Sequence, residues 1–193
     1  MPLQNRVTPL GELIATPERG HVFGNRGALH DDEQRIRRRF VGKRWIACRL
    51  EFRGRYRGAM PPRRYTGLFF LDEATAFAAG HRPCAECRHE DYTRYLELAG
   101  ASGADELDAR LHAERLGSKP VLPIDGLPDG VFVLHEGAPW LVLGDELLRW
   151  TPGGYPEAIP RRRGAEPVIT PSTTVEVLRS GWNGSVPFVC GRA

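Results

Sequence analysis

The sequence predicts an α+β fold, with a small mixed or antiparallel sheet and about four short helices. Three observations lead there. Strand-like alternation comes first, helix-period segments follow between residues 72 and 116, and strand patterns return from Val121. The regular strand–helix alternation of a doubly wound sheet is absent. At 193 residues the chain fits one compact domain, or two regions divided at 1–120 and 121–193.

The elements follow in order. Weak strands are expected at 11–15 and 19–23, then a turn at Gly24-Asn25-Arg26-Gly27 whose N–H groups could also face a phosphate. Residues 45–57 alternate. Ile46, Cys48, Leu50 and Phe52 share one parity; Trp45, Arg49, Glu51, Arg53, Arg55 and Arg57 share the other. This reads as a strand with one buried face and one basic, solvent-facing face, with Gly54 marking a bulge or turn. Trp45 and Tyr56 are rings on which bases could stack, or ordinary strand aromatics. After Pro61-Pro62 comes a short strand at 68–71. Asp72 then caps a helix over 73–79 whose buried stripe is Ala74, Phe77 and Ala78, ended by Gly80. Further helices are expected at 89–98 and, after the cap-like Ser102-Gly103-Ala104-Asp105, through about Leu116. Val131–Leu134 and Trp140–Leu143 flank a hairpin turn at Glu136-Gly137, and 147–150 adds a strand. Residues 151–167 read as a loop or linker. A last helix begins at Thr170-Pro171 with Val175 and Leu178 inward, and a closing strand is expected at 186–190.

The net charge of +3 hides a lopsided distribution. Residues 35–64 carry twelve Lys and Arg against one acid, Glu51, and the remainder of the chain is acidic. Of the 27 positive residues, 25 are arginine, whose planar fork suits phosphate and stacks on rings. A solvated face is the plain reading of such a run; a polyanion surface is the functional one. No apolar run approaches the ~18 residues of a membrane span, and no signal-peptide core opens the chain, so a cytoplasmic protein without membrane partners is expected.

The four cysteines are Cys48, Cys84, Cys87 and Cys190. The two-residue gap in Cys84-Ala85-Glu86-Cys87 lets both thiolates reach one tetrahedral zinc. A thioredoxin-like redox pair is the rival, but that motif opens a helix after a strand, whereas this pair follows a helix ending at Gly80.

Phe69-Phe70, the Ala-rich helix and Gly80-His81-Arg82-Pro83-Cys84-Ala85-Glu86-Cys87 resemble the second half of the Ada-type zinc domain, which belongs to bacterial proteins that repair methylated DNA phosphotriesters. The likeness covers residues 69–88. It implies that Cys84 and Cys87 bind zinc and that Cys48 is a third ligand. In the family an upstream cysteine accepts the methyl group, but Phe52 stands where the partner of Cys48 would be, and His81 replaces the usual aromatic. The remainder resembles a bacterial family with the same Gly-His-Arg-Pro-Cys centre, a match that implies no activity. A fourth ligand is expected from Cys190, with His30 and His81 as alternatives. Cys48 and Cys190 each also fit as small buried hydrophobes. The zinc is expected to be structural, a knuckle bracing the basic strand against the helical segment.

Other candidates are less specific. His112 and Glu114 could serve as acid and base, though two-residue spacing keeps them off a shared helix face. Asp145-Glu146 and Asp31-Asp32-Glu33 could hold magnesium or simply solubilise their segments, and Arg161-Arg162-Arg163 forms a second basic cluster. No serine triad, phosphate loop, dinucleotide fingerprint or zinc-protease motif is present. The expected function is a zinc-stabilised nucleic-acid-binding protein, with DNA the expected partner, in repair, modification or defence. Arg26, Arg49, Arg53, Arg55, Arg57, Arg63 and Arg64 are the expected phosphate contacts. The alternatives are an enzyme on DNA (glycosylase, nuclease or cysteine-dependent demethylase) and an interaction module for acidic partners.

Overall fold

A computed structural model describes residues 1–54 and 59–191 and has the α+β class. Arg55, Tyr56 and Arg57 lie outside the described residues. The N-terminal strands β1 (Gln4–Val7), β2 (Leu13–Ala15), β3 (Val22–Asn25), β4 (Ile46–Cys48), β5 (Leu68–Phe70) and β6 (Arg82–Pro83) form one mixed sheet in the order β2-β1-β5-β3-β4-β6. Helix α1 (Glu73–Ala78) links β5 to β6, and α2 (His89–Leu98) and α3 (Ala104–Leu116) follow. A short ladder pairs β7 (Val121–Pro123) with the distant β12 (Ala165–Pro167). Between them, β8 (Phe132–His135), β9 (Ala138–Leu143), β10 (Glu146–Thr151) and β11 (Gly154–Pro160) make an antiparallel meander. Helix α4 (Ser172–Arg179) comes last.

Every residue of α1 is buried, because the helix is enclosed on several sides. Ala74 and Ala78 face Phe132, Leu141 and Leu148 of the meander. Ala76 and Ala79 face Val22, Leu68 and Phe70 of the mixed sheet. Phe77 joins Tyr95 of α2, Leu111 of α3, Val133 and Trp140 in the largest cluster. Small side chains are what so enclosed a helix can accommodate.

Asp72 caps α1 as the sequence implies, accepting from the Thr75 N–H at 2.9 Å and the Thr75 hydroxyl at 2.7 Å. The same carboxylate accepts from the Tyr155 hydroxyl at 2.9 Å and the Cys190 N–H at 3.1 Å. One acid thus ties the helix start to β11 and to the C-terminal segment. Replacing Asp72 with alanine removes a cap and strands several buried donors, so a loss of about 3 kcal/mol is expected in urea unfolding. A loss under about 1 kcal/mol would show that this junction is not a tether.

Four expectations need correction. Residues 151–167 are not a linker; they supply β11 and β12, whose alternation is masked by Gly and Pro at the strand ends. Residues 186–190 form no strand: the carbonyls of Pro187 and Phe188 instead accept from the N–H groups of Glu73 and Ala74, the orphan donors at the start of α1. Gly24 and Asn25 belong to β3 rather than to a turn. The expected strand over 45–57 stops at Cys48, and no single parity is buried: Trp45 and Ala47 are buried as well as Cys48, while Leu50 is exposed along with Arg49, Glu51 and Arg53. This short strand lies inside the sheet, between β3 and β6.

Candidate metal centre

The parallel pairing of β4 with β6 builds the site. Ile46 stands opposite Arg82 and Ala47 opposite Pro83, and the Cys84 N–H donates to the Ala47 carbonyl at 2.9 Å. In a parallel pair both strands end at the same side, so Cys48 and Cys84 emerge together. A tight turn then brings Cys87 back beside them before α2 begins. The sulfurs of Cys48, Cys84 and Cys87 all lie within 4.8 Å of one another.

The surroundings favour charge on one of these sulfurs, Cys84, and oppose it on the other two, Cys48 and Cys87. Cys84 is pulled below the ordinary thiol range by hydrogen bonds from the Cys48 and Cys87 thiols, and the N–H groups of Cys87 and Glu86 add to this against the opposing effect of burial. The Arg49 N–H donates to the Cys87 sulfur. Cys48 is pushed far up, because its proton is the one Cys84 and Cys87 accept and because it is buried. Three thiols so close cannot all ionise unaided, whereas a bound cation would allow it. Bond lengths of ~2.3 Å to a tetrahedral ion put sulfurs about 3.8 Å apart, which the cluster accommodates. Three cysteines can therefore hold a metal ion here, and the sulfur donor set fits zinc.

Buried ion pairs brace this turn. Arg88, the residue after Cys87, has a wholly buried side chain that pairs with Glu73 and, at 2.7 Å, with Asp91. Asp91 also accepts from the Ser185 hydroxyl at 2.6 Å, and Glu73 from the Trp182 indole N–H at 2.9 Å. Arg82 makes a two-point contact with Asp108 of α3, at 3.0 and 2.9 Å. Sequence reading missed these pairs, although the acids at 73 and 91 in segments of helix period were a signal.

Beside the thiols opens a cavity of about 300 Å³. Its walls include the three cysteines, Phe23, Phe52, Tyr65, Phe69, Ile46, Asn25 and Arg49. The aromatics come from β3, β5 and the loop after β4. Only Phe52 and Phe69 had been singled out, neither as a cavity wall, since nothing in the sequence shows that β3 and β5 face the cysteines.

The other expected site residues divide. Cys190 does not join the thiol cluster; it lies against Asp72 and the Phe132–Trp150 core because the C-terminal segment caps α1. His30 is engaged elsewhere, its Nδ1 2.6 Å from the Thr66 hydroxyl. His81 is fully buried between the rings of Trp45 and Phe70. Arg26 is not a surface contact: its side chain is enclosed and donates to the Gly11 carbonyl. Arg49, Arg53, Arg63 and Arg64 are exposed. Arg49 lines the cavity, Arg53 lies over the Phe52 ring, and Arg64 precedes Tyr65. Arg35 and Arg37 are paired with Asp31, so part of the basic strip is neutralised within itself. His112 contacts Arg115 and Glu114 binds Thr173, so the two form no acid–base pair. Arg161 is bound to the carbonyls of Ile124 and Leu127, which leaves Arg162 and Arg163 exposed.

Among the described residues, no helix is long and apolar enough to cross a membrane. No protein family, curated protein or solved structure matches the chain.

Proposed function

We propose that the protein binds zinc through Cys48, Cys84 and Cys87 and uses the adjoining aromatic cavity to engage nucleic acid, with DNA as the partner. The observation that carries this reading is the juxtaposition of a three-thiol cluster with a cavity walled by four aromatic rings and flanked by exposed arginines. Rings stack on any base, while arginines follow the phosphates. About 300 Å³ lies at the small end of ligand pockets, which suits one unstacked base rather than a duplex. The likeness of residues 69–88 to the Ada-type zinc domain supports a setting in DNA repair, modification or defence.

A second reading, an enzyme on DNA, has one observation in its favour. Structural zinc sites have four protein ligands, whereas catalytic ones have three and leave a position for solvent or substrate. The thiol cluster has three members among the described residues, and all three line the cavity.

Single-stranded oligonucleotide binding, read by fluorescence anisotropy across salt concentrations, tests the first reading. If Arg49, Arg53, Arg63 and Arg64 each neutralise one phosphate, log K against log salt has a slope of about −3, since each contact on single strands contributes about −0.7. Arg64→Gln reduces that slope by about 0.7. Phe52→Ala weakens binding by about 1–3 kcal/mol without changing the slope. A salt-independent affinity overturns the proposal.

A further inference from the structure

Trp45, the residue before β4, lies away from the thiol cavity, and the fold gathers cations around it. Arg26 is 1% exposed, with its guanidinium carbon 4.5 Å from the Trp45 ring centroid. Its Nη2 donates to the Gly11 carbonyl at 2.9 Å, but its Nε and Nη1 have no acceptor among the described residues. Arg115, from α3, lies over the same ring at 4.1 Å. Its Nη1 and Nη2 donate to the carbonyls of Gly80 and Lys43, while its Nε is buried and likewise lacks an acceptor. Both arginines line a cavity of about 40 Å³, together with Arg39, Lys119, Trp45 and Gly11, and no carboxylate among the described residues lines it.

Buried donors without partners are rare in native proteins, and each asks for a reason. Here the donors belong to two cations whose charges oppose each other. Burial, then the charges of Arg39 and Arg115, brings Arg26 down to about 9, and burial brings Arg115 down to about 10. The acids whose charge acts on Arg115 and Lys119 are hydrogen-bonded elsewhere, Asp108 to Arg82 and Glu114 to Thr173. Gly11, with a φ of +79°, lies beside Arg26, and a Cβ there would stand 3.8 Å from Nη1.

We propose that this cavity binds a phosphate-type oxyanion, either free phosphate or the terminal phosphate of a nucleotide chain, through Arg26 Nε and Nη1 and Arg115 Nε, with Arg39 and Lys119 at the rim. The oxyanion supplies the missing acceptors and offsets the crowded charge, and ionised partners make such bonds strong. A space of about 40 Å³ has room for roughly three waters at ~10–15 Å³ each, enough for one tetrahedral oxyanion but not for a base or sugar. The site is separate from the thiol cavity and stands or falls without it.

Titration calorimetry of the purified chain with sodium phosphate, in a chloride buffer, provides the test. Saturable one-to-one binding is expected, weakened about tenfold by Arg115→Gln and about threefold by Arg39→Gln or Lys119→Gln, and unchanged by the distant Arg149→Gln. Arg26→Gln should abolish it, but the burial of Arg26 endangers the fold, so the rim variants carry the decision. Displacement of phosphate by a 5′-phosphorylated oligonucleotide, but not by its 5′-hydroxyl counterpart, identifies a chain terminus as the source; displacement by neither identifies the free anion. Absence of saturable binding, or equal binding by the Arg115, Arg39 and Lys119 variants and the parent, overturns the proposal. Neither result depends on Arg49, Arg53, Arg63 or Arg64, so failure here leaves the nucleic-acid reading intact.

Discussion

Replacing Cys84 or Cys87 with serine is expected to take the metal content of the purified protein from about one zinc per chain to near zero. Cys48→Ser should do the same, while Cys190→Ser should leave it unchanged, because Cys190 stands with Asp72 rather than with the other sulfurs. The stability effect is large but does not amount to complete unfolding. Small zinc modules gain an apparent ~10–16 kcal/mol from their metal and are unfolded without it. This chain keeps three apolar clusters that contain none of the three sulfurs, one around Phe77, Tyr95 and Trp140, one around Phe132 and Leu148 and one around Val22, Leu68 and Phe70. The loss is then set by linkage: about 4 kcal/mol where free zinc stands at a thousand times its dissociation constant. Parent protein treated with a chelator should unfold at the same urea midpoint as Cys84→Ser. A Cys190→Ser protein that loses its metal, beside a Cys48→Ser protein that keeps it, would reassign the ligand set.

Arg88→Met is expected to cost about 3–5 kcal/mol at neutral pH, the usual consequence of deleting one member of a buried ion pair. The substitution leaves Glu73 buried and without its cation. Burial already pushes the Glu73 carboxyl above its ordinary range, and the Arg88 charge is the main opposing influence. Without Arg88 its folded pKa rises further. A group whose folded pKa lies above its unfolded one favours folding below the unfolded value and loses that contribution as pH rises through the folded one. Asp91 behaves in the opposite way. Burial works against it, but hydrogen bonds from Ser185 and Arg88 hold it below the ordinary range, so its contribution in the parent fades on acidification. As pH falls toward 5 it is the Glu73 effect that shrinks the gap between variant and parent, and Asp91 adds to this only below the ordinary carboxylate range. Adding Glu73→Gln to the variant should recover part of the loss at pH 7, since glutamine still offers an oxygen to Trp182. A deficit that stays constant from pH 5 to 8 would place the cost in lost packing instead.

Local chemistry made much of the fold readable. The Asp72 cap, the helix over His89–Leu98 and the Glu136-Gly137 hairpin follow from residues adjacent in the chain, and the structure has each of them. The Cys84–Cys87 spacing likewise carried two of the three members of the thiol cluster. Long-range pairing was harder to see. Strand β6 is two residues long and includes a proline, so no periodicity announces it, yet it brings Cys84 to Cys48. The alternation at 45–52 was real, but a strand with neighbours on both sides and apolar residues on both faces has no parity that marks the inner face. That is why the sequence leaves Trp45 open as a stacking ring for bases or an ordinary strand aromatic, when it packs against two arginines. Arg26 was misplaced for a related reason: a charge in a glycine-rich stretch reads as surface, and only the tertiary fold encloses it.

The parallel contact between β4 and β6 also governs how the chain assembles. Cys84 and Cys87 are neighbours as soon as they leave the ribosome, whereas Cys48 lies thirty-six positions earlier. Joining it to them requires closing a long loop, and such non-local contacts form late in folding. A nascent chain therefore offers an ion two sulfurs first and a third only once the sheet has closed. Until then Cys48 remains an uncommitted thiol. The interval before closure is when this protein is most exposed to oxidation and to mispairing, and an ion already held by the local pair would shorten it by giving the late strand a destination.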